Sequence, residues 1–376
     1  MEKVRRYDLD WLRVIVFSLL IFYHVGMFFV PWGWHIKNNE VYGWLRYPML
    51  FLNQWRLPIL FVISGMGTAY ALSFRSAGQF IKERFIRLYI PLAVGMVLIV
   101  SPQVYMERVY DGDYSGSFLE WFASWEFING FYPEGNFSWH HLWFLPYLLV
   151  FSIVLTPIFV QLRNKPNHSF LSWIRKRVSR NPYFLFWLIL PLYLCEAFLE
   201  PFFDVTHNLV WDWFNFMSSI ILFFYGFILI SIKEQFWNAV GRIWKKMLVM
   251  GVMCFAALLY RWYFLEDSYI VHFTEALIKV INLWAWILTI FGWSSLNLNK
   301  KSRTIAYANR AVYPFYILHQ TIIIVIGYYI YDMEWSLVIK FSVMLIGTFG
   351  LSWLLYEFLI RRVRLLWRLF GLKKTG

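Results

Sequence analysis

Runs of about 20 apolar residues recur along the chain between short polar segments, and each run is long enough, as a helix, to cross a ~30 Å hydrocarbon core. They lie near 11–30, 44–73, 88–106, 141–162, 183–200, 212–232, 247–265, 273–295, 313–331 and 335–360. The pattern predicts an all-α, polytopic integral membrane bundle of about ten transmembrane helices, forming a single domain over residues 1–376. Pro58, Pro91, Pro146 and Pro191 fall inside runs, as packed membrane helices tolerate. The first run follows Lys3, Arg5 and Arg6 as a secretory leader would, but no small-residue cleavage site follows it, and Pro31-Trp-Gly-Trp comes instead. A retained span is therefore expected. No internal repeat and no low-complexity linker divides the chain.

Composition agrees and excludes a water-soluble protein. Of the 376 residues 60% are hydrophobic, 22% aromatic and 15% charged, against roughly 25% charged in soluble domains. The net charge of +13 does not imply nucleic acid, because the basic residues form short clusters between the apolar runs and no continuous patch. They occupy the N-terminal tail and the segments 75–87, 163–180, 233–246, 300–310 and 361–376. The alternate connections hold only Lys37 and Arg108 and are otherwise acidic, with Glu107, Asp111, Asp113, Glu120, Glu126 and Glu134 in one and Asp204 in another. That asymmetry predicts both termini in the cytoplasm. It makes 106–140, rich in Trp, Tyr, Phe and Gly, an outer aromatic loop, of a length that is usually functional or disordered, and 361–376 a basic cytoplasmic tail. Cys195 and Cys254 lie within apolar runs, where a thiol acts as a small hydrophobe. No metal-ligand spacing is evident, and no metal is expected.

Ionisable groups inside spans are costly and mark candidate sites. Arg46 and Lys340 stand at span edges, where long side chains snorkel to the interface. Arg13 and His24 are almost three helical turns apart and share one face of the first span, about 16 Å apart along its axis. Asp10, one turn before Arg13, is placed to orient it. The pair reads either as a phosphate-binding arginine and a catalytic histidine joined by an extended substrate arm, or as an interfacial anchor and a structural histidine. Arg84 and Arg87 share a helix face and form a fork suited to phosphate, although the positive-inside tendency also puts arginines there. Arg56, Arg261, Lys279, Glu196 and Glu275 map to outer span thirds and suggest a polar cavity with an excess of basic groups, hence an anionic partner. Glu275 and Lys279, one turn apart with Asn282 continuing their face, also read as a neutralised pair. Trp139, His140 and His141 border the same region, and His319 in the ninth span suits packing or ligand binding equally. Phosphate-loop, zinc-protease and nucleophile-elbow motifs are absent. Ser64-Gly65 reads better as close helix packing than as a nucleophile.

In combination these residues resemble membrane-bound acyltransferase family 3 over nearly the whole chain. Asp8-Leu-Asp-Trp-Leu-Arg13, ten further residues and His24 are similar to that family's Arg/Lys-x10-His signature. Leu60-Phe-Val-Ile-Ser-Gly65 resembles its Phe-Phe-Val-Leu-Ser-Gly segment, Arg84-Phe-Ile-Arg87 its Arg-x-x-Arg, and Tyr316-Ile-Leu-His-Gln320 its late-span pattern. Arg56, eight residues before Ser64, and His141-Leu-Trp-Phe-Leu145 look like a branch that succinylates periplasmic glucans.

The resemblance implies ten core helices in a bacterial inner membrane. It also implies transfer of an acyl group, acetyl or succinyl, from cytosolic acyl-coenzyme A to a hydroxyl of an extracytoplasmic carbohydrate or lipid-linked acceptor. With no fused extracytoplasmic esterase-like domain, handover is expected within the bundle. On this reading Arg13, Arg84 and Arg87 hold the coenzyme A phosphates. His24, whose unperturbed imidazole titrates near about 6.5, takes the acceptor's proton, an acyl-histidine being the variant. Arg56, Ser64, His141, Lys279 and His319 are candidates for binding substrate, and Arg56, Ser64 or a backbone amide for the oxyanion. The rival classes are a glycan or lipid-linked sugar transporter, whose characteristic repeats are missing, and a non-catalytic partner in glycan export.

Overall fold

The computed structural model describes residues 6–165 and 167–372. Lys3, Arg5, Lys373 and Lys374 of the terminal basic clusters lie outside the described residues. Among the described residues ten helices are long and apolar enough to span a membrane: α1 (Tyr7–Met27), α2 (Gly43–Leu72), α3 (Ala77–Asp111), α4 (His140–Asn164), α5 (Pro182–Phe202), α6 (Trp213–Ser231), α7 (Lys233–Phe264), α8 (Tyr269–Asn297), α9 (Arg303–Ile330) and α10 (Leu337–Ile360). Among the described residues no strand occurs, and a single bridge pairs Phe131 with Phe137.

The spans match the expected number, but several helices outrun their apolar windows. α3 begins at Ala77, α7 at Lys233 and α9 at Arg303, so Arg84, Arg87, the 233–246 cluster and Arg310 stand on helices and not in loops. Hydropathy sees only the stretch that needs lipid, whereas helical hydrogen bonding continues through polar residues of good propensity such as Lys, Arg and Glu. α3 likewise runs on to Asp111, which puts Glu107 and Arg108 on the helix instead of in the outer loop. Within α3, Phe85–Tyr89 and Met96–Val100 are π-helical turns. The rest of the expected aromatic loop is folded. Ser117 and Glu120 cap the short helix Phe118–Ala123 reciprocally, Trp121 and Phe127 are buried, and Arg108 donates to the carbonyls of Pro133 and Gly135 at 2.6 and 2.8 Å.

The chain divides into two compact units. The first comprises the chain up to Arg13, Phe51–Lys82 and Val150–Ser302. Its closest packing lies where α2 meets α6. A Cβ on Gly65 would fall 1.9 Å from the Phe223 carbonyl oxygen, and one on Gly226 2.0 Å from that of Val62. Glycine there lets two backbones touch, the means by which helices gain contact in lipid, where apolar burial drives little.

The second unit comprises Val14–Leu50, Glu83–Leu149 and the chain from Arg303 onward. Its core joins Ile21, Val25, Phe28 and Phe29 of α1 and the residues after it to Ile323, Ile324 and Ile330 of α9 and Met344 of α10. Lys340, placed at a span edge by its sequence position, does not snorkel. It is fully buried, and its Nζ donates to Asn38 Oδ1 at 2.6 Å, Asn39 Oδ1 at 3.0 Å and the Tyr331 carbonyl at 3.1 Å. Three oxygens meet the three N–H donors of a lysine ammonium.

Candidate functional site

In the second unit α1 and α9 bring His24 and His319 together. His24 Nδ1 lies 2.8 Å from His319 Nε2, with the rings 12° from coplanar and their centroids 5.0 Å apart. That is edge-to-edge geometry, as an in-plane N–H···N bond requires. His319 is fully buried, and its Nδ1 lies 2.7 Å from the carbonyl oxygen of Tyr316 and 3.2 Å from that of Phe315. Carbonyls only accept, so His319 Nδ1 carries the proton and, in the neutral ring, Nε2 accepts. His24 Nδ1 must then donate, which leaves the lone pair of the neutral ring on His24 Nε2. The tautomers follow from the partners by elimination. Trp34, from the α1–α2 connection, packs on His24 with ring centroids 5.4 Å apart.

A cavity of about 200 Å³ extends from His319 between α1 and α9. Val14, Phe17, Ser18 and Ile21 line it from α1, and Tyr307, Ala311, Phe315 and His319 from α9, with Phe349 of α10. The α9 positions recur every four residues, so one face is followed for about 18 Å at 1.5 Å per residue. Apart from His319, Ser18 and the tyrosines the walls are carbon, and no Lys, Arg, Asp or Glu lines the cavity.

His141 stands beside the pair without sharing its chemistry. Its ring is 5.1 Å from that of His319, but Nε2 lies 3.0 Å from the Ile317 carbonyl and Nδ1 3.4 Å from Gln103 Nε2. Both nitrogens are therefore committed to holding α9 and α3. Tyr316 also ties α9 to this point, its hydroxyl donating to the His141 carbonyl at 2.6 Å. On α3, Arg87 Nε donates to the Gly371 carbonyl at 3.3 Å, and its guanidinium lies 3.6 Å from Glu83. The Tyr313 hydroxyl donates to the Arg87 carbonyl at 2.7 Å. Arg84 is half-buried, at the last position before the π-helical turn that carries Arg87.

The other expected residues belong to the first unit. Asp10 lies 3.4 Å from Arg13, one turn away as its spacing predicted. Arg56 is buried, at 3% exposure. Ser64 sits one residue before the Gly65 contact, its carbonyl accepting from Thr68 at 3.0 Å. Lys279 takes the paired alternative. Its Nζ lies 3.1 Å from Glu196, 3.3 Å from Glu275 and 3.6 Å from Glu200. Arg261 lies 2.9 Å from Glu275 and also pairs with Asp267, while Trp262 Nε1 donates to Glu275 at 2.8 Å. Two cations face four carboxylates here, so the inferred excess of basic groups is reversed; it counted Glu196 and Glu275 but not Glu200 and Asp267, which the end of α5 and the α7–α8 connection carry into the same network.

Sequence reasoning gave no role to Trp34 or Gln103, and none to Tyr316 beyond its place in the late-span motif, since these are neutral or aromatic residues with no charge to betray them. It also counted Glu107 among loop acids, whereas the structure puts it on α3.

The protein-family model described as an acyltransferase domain matches residues 6–357. Glucans biosynthesis protein C of Shigella dysenteriae serotype 1 (strain Sd197) is 25% identical over 366 residues, covering 95% of this chain and 92% of the relative. The proteins of the same name from Escherichia coli O81 (strain ED1a) and O9:H4 (strain HS) match to the same extent. No solved structure matches the chain. With ten apolar spans and a family match over nearly its whole length, the chain belongs to acyltransferase family 3 and is a multi-pass membrane O-acyltransferase.

Proposed function

We propose that the protein transfers a short acyl group from cytosolic acyl-coenzyme A to a hydroxyl of an extracytoplasmic glycan or related acceptor, with His24 Nε2 as general base. The single observation that carries this reading is the fixed tautomer of His24, relayed from the Phe315 and Tyr316 carbonyls through His319. A base oriented by a second group, itself oriented by a third, is the arrangement that activates a hydroxyl.

In this scheme the hydroxyl attacks the thioester carbonyl while its proton passes to His24 Nε2. The imidazolium that forms keeps its Nδ1–H on His319 Nε2, so positive charge develops against a fixed acceptor. Collapse of the tetrahedral intermediate breaks the C–S bond, and His24 returns the proton to the departing thiolate. The carbon-lined cavity along α1 and α9 supports the donor path, since an arm lying there runs from the Tyr307 end to His319, the partner of His24. The Lys and Arg asymmetry supports placing that end on the cytoplasmic side. Arg84 and Arg87 are proposed to bind the coenzyme A phosphates, with Arg87 exchanging its contacts to Gly371 and Glu83 for phosphate oxygens.

The test is acyl transfer by purified protein in nanodiscs. His24→Ala is expected to lower kcat by about 10²–10⁴-fold. His319→Leu should approach that loss, whereas His319→Gln, whose amide oxygen can accept from His24 Nδ1–H, should retain more. Transfer by His24→Ala at the wild-type rate, or equal activity of the two His319 variants, would remove the basis for the scheme.

A further inference from the structure

We propose that His35, Glu107 and His140 form a binding site for a divalent transition-metal ion of the Zn²⁺ class. One ligand atom from each lies within 4.8 Å of the other two. The three come from separate places in the second unit: His35 from the α1–α2 connection, Glu107 from the last turns of α3, and His140 from the first position of α4. Two imidazole nitrogens and one carboxylate oxygen are a donor set that suits Zn²⁺ and leaves a fourth position for water or another ligand.

His140 carries the argument furthest. Its Nε2 is buried and makes no hydrogen bond, a costly state for a polar group. Its backbone is left-handed, at φ 37°, which residues bearing a Cβ seldom adopt. That conformation aims the ring at the cluster, 4.7 Å from the ring of His35 and 4.6 Å from that of Tyr132. Strain and an orphaned nitrogen at one residue are both accounted for if the nitrogen is a ligand.

The supporting shell is also in place. Glu107 Oε2 is 2.8 Å from His35 Nδ1, and its other oxygen accepts from the Tyr132 hydroxyl at 2.8 Å. His35 Nε2 lies 3.2 Å from Gln320 Nε2, a donor, so Gln320 would turn its amide oxygen to the Nε2–H of a metal-bound ring. Metal-bound carboxylates are commonly held by an outer hydrogen bond such as the one from Tyr132. Coordination would displace the proton between His35 and Glu107 and bring the three ligand atoms, now within 4.8 Å of one another, to the roughly 3.3 Å separation of a tetrahedral site with ~2.0–2.1 Å bonds. No cysteine takes part, and the ligand positions, 35, 107 and 140, show no short spacing that a sequence scan would find.

The experiment titrates ZnCl₂ into chelator-treated protein in nanodiscs, followed by calorimetry, with the visible spectrum of the Co²⁺-substituted protein as a second readout. One ion per chain and a tetrahedral Co²⁺ spectrum are expected. His140→Asn removes the imidazole and keeps a residue that tolerates a left-handed backbone, so the variant should fold and bind at least about tenfold more weakly. Tyr132→Phe, which removes only the bond to the outer oxygen of Glu107, should weaken binding by about tenfold. Wild-type protein that binds no Zn²⁺, or His140→Asn protein that binds it as tightly as wild type, would overturn the proposal.

Discussion

The carbonyl oxygens of Phe315 and Tyr316 reach His24 only through His319, so the protonation of one imidazole is set by backbone two bonds removed. The Arg13/His24 spacing and the presence of His319 were legible because helical periodicity carries them. The tautomer was not, since it depends on which carbonyls a turn of α9 leaves in reach. The same scale shows a second backbone contact. Lys37 Nζ donates to the carbonyls of Met27, at 2.6 Å, and Val30, where α1 ends. Burial lowers its pKa from 10.5 to about 8. Because the folded value lies below the unfolded one, the stability associated with this shift is present in full above pH 10.5 and is lost as pH falls to about 8. A reductively ¹³C-methylated sample should show the Lys37 resonance titrating near pH 8; a midpoint above 10 would contradict the burial argument.

Among elements, α2 and α6 give the plainest energetic statement. The atom that a Cβ on Gly226 would meet is a backbone oxygen, which cannot swing aside as a side chain can. Gly226→Ala is therefore expected to destabilise by about 1–3 kcal/mol. Gly67, with nothing within 4 Å of its Cβ position, serves as the control, and Gly67→Ala should be neutral or stabilising through helix propensity. Thermal unfolding of the two variants in nanodiscs separates these outcomes. The apolar runs announced the helices themselves, because lipid demands about 20 apolar residues per crossing, but not the lengths of α3, α7 and α9. Nor did they announce the two π-helical turns of α3. Each holds an extra residue and rotates the following positions by roughly a quarter turn, so a regular helical wheel drawn from Arg84 misplaces the faces of Gln103 and Glu107.

For the molecule as a whole, charge is segregated. The Lys279 and Arg261 network in the first unit contains its own carboxylates, while the cavity beside His319 in the second is lined by no Lys, Arg, Asp or Glu. An unpaired carboxylate in a carbon-lined cavity is costly. The proposed donor is therefore an uncharged acyl group, and acetyl-coenzyme A should outcompete succinyl-coenzyme A by at least about tenfold in a mixed assay. A preference for succinyl would place the acyl group elsewhere. The ten spans and the resemblance to a family were readable from one sequence. The pairing across the fold was not, since it joins residues far apart in the chain.

That separation, 295 residues between His24 and His319, also sets an order in time. α9 belongs to the last segment of the second unit, so during synthesis α1 enters the membrane long before its partner leaves the ribosome. A nascent chain ending before Arg303 contains the segments of the first unit and lacks one wall of the cavity and half of the histidine relay. The proposed catalytic centre comes into being only once α9 has been made.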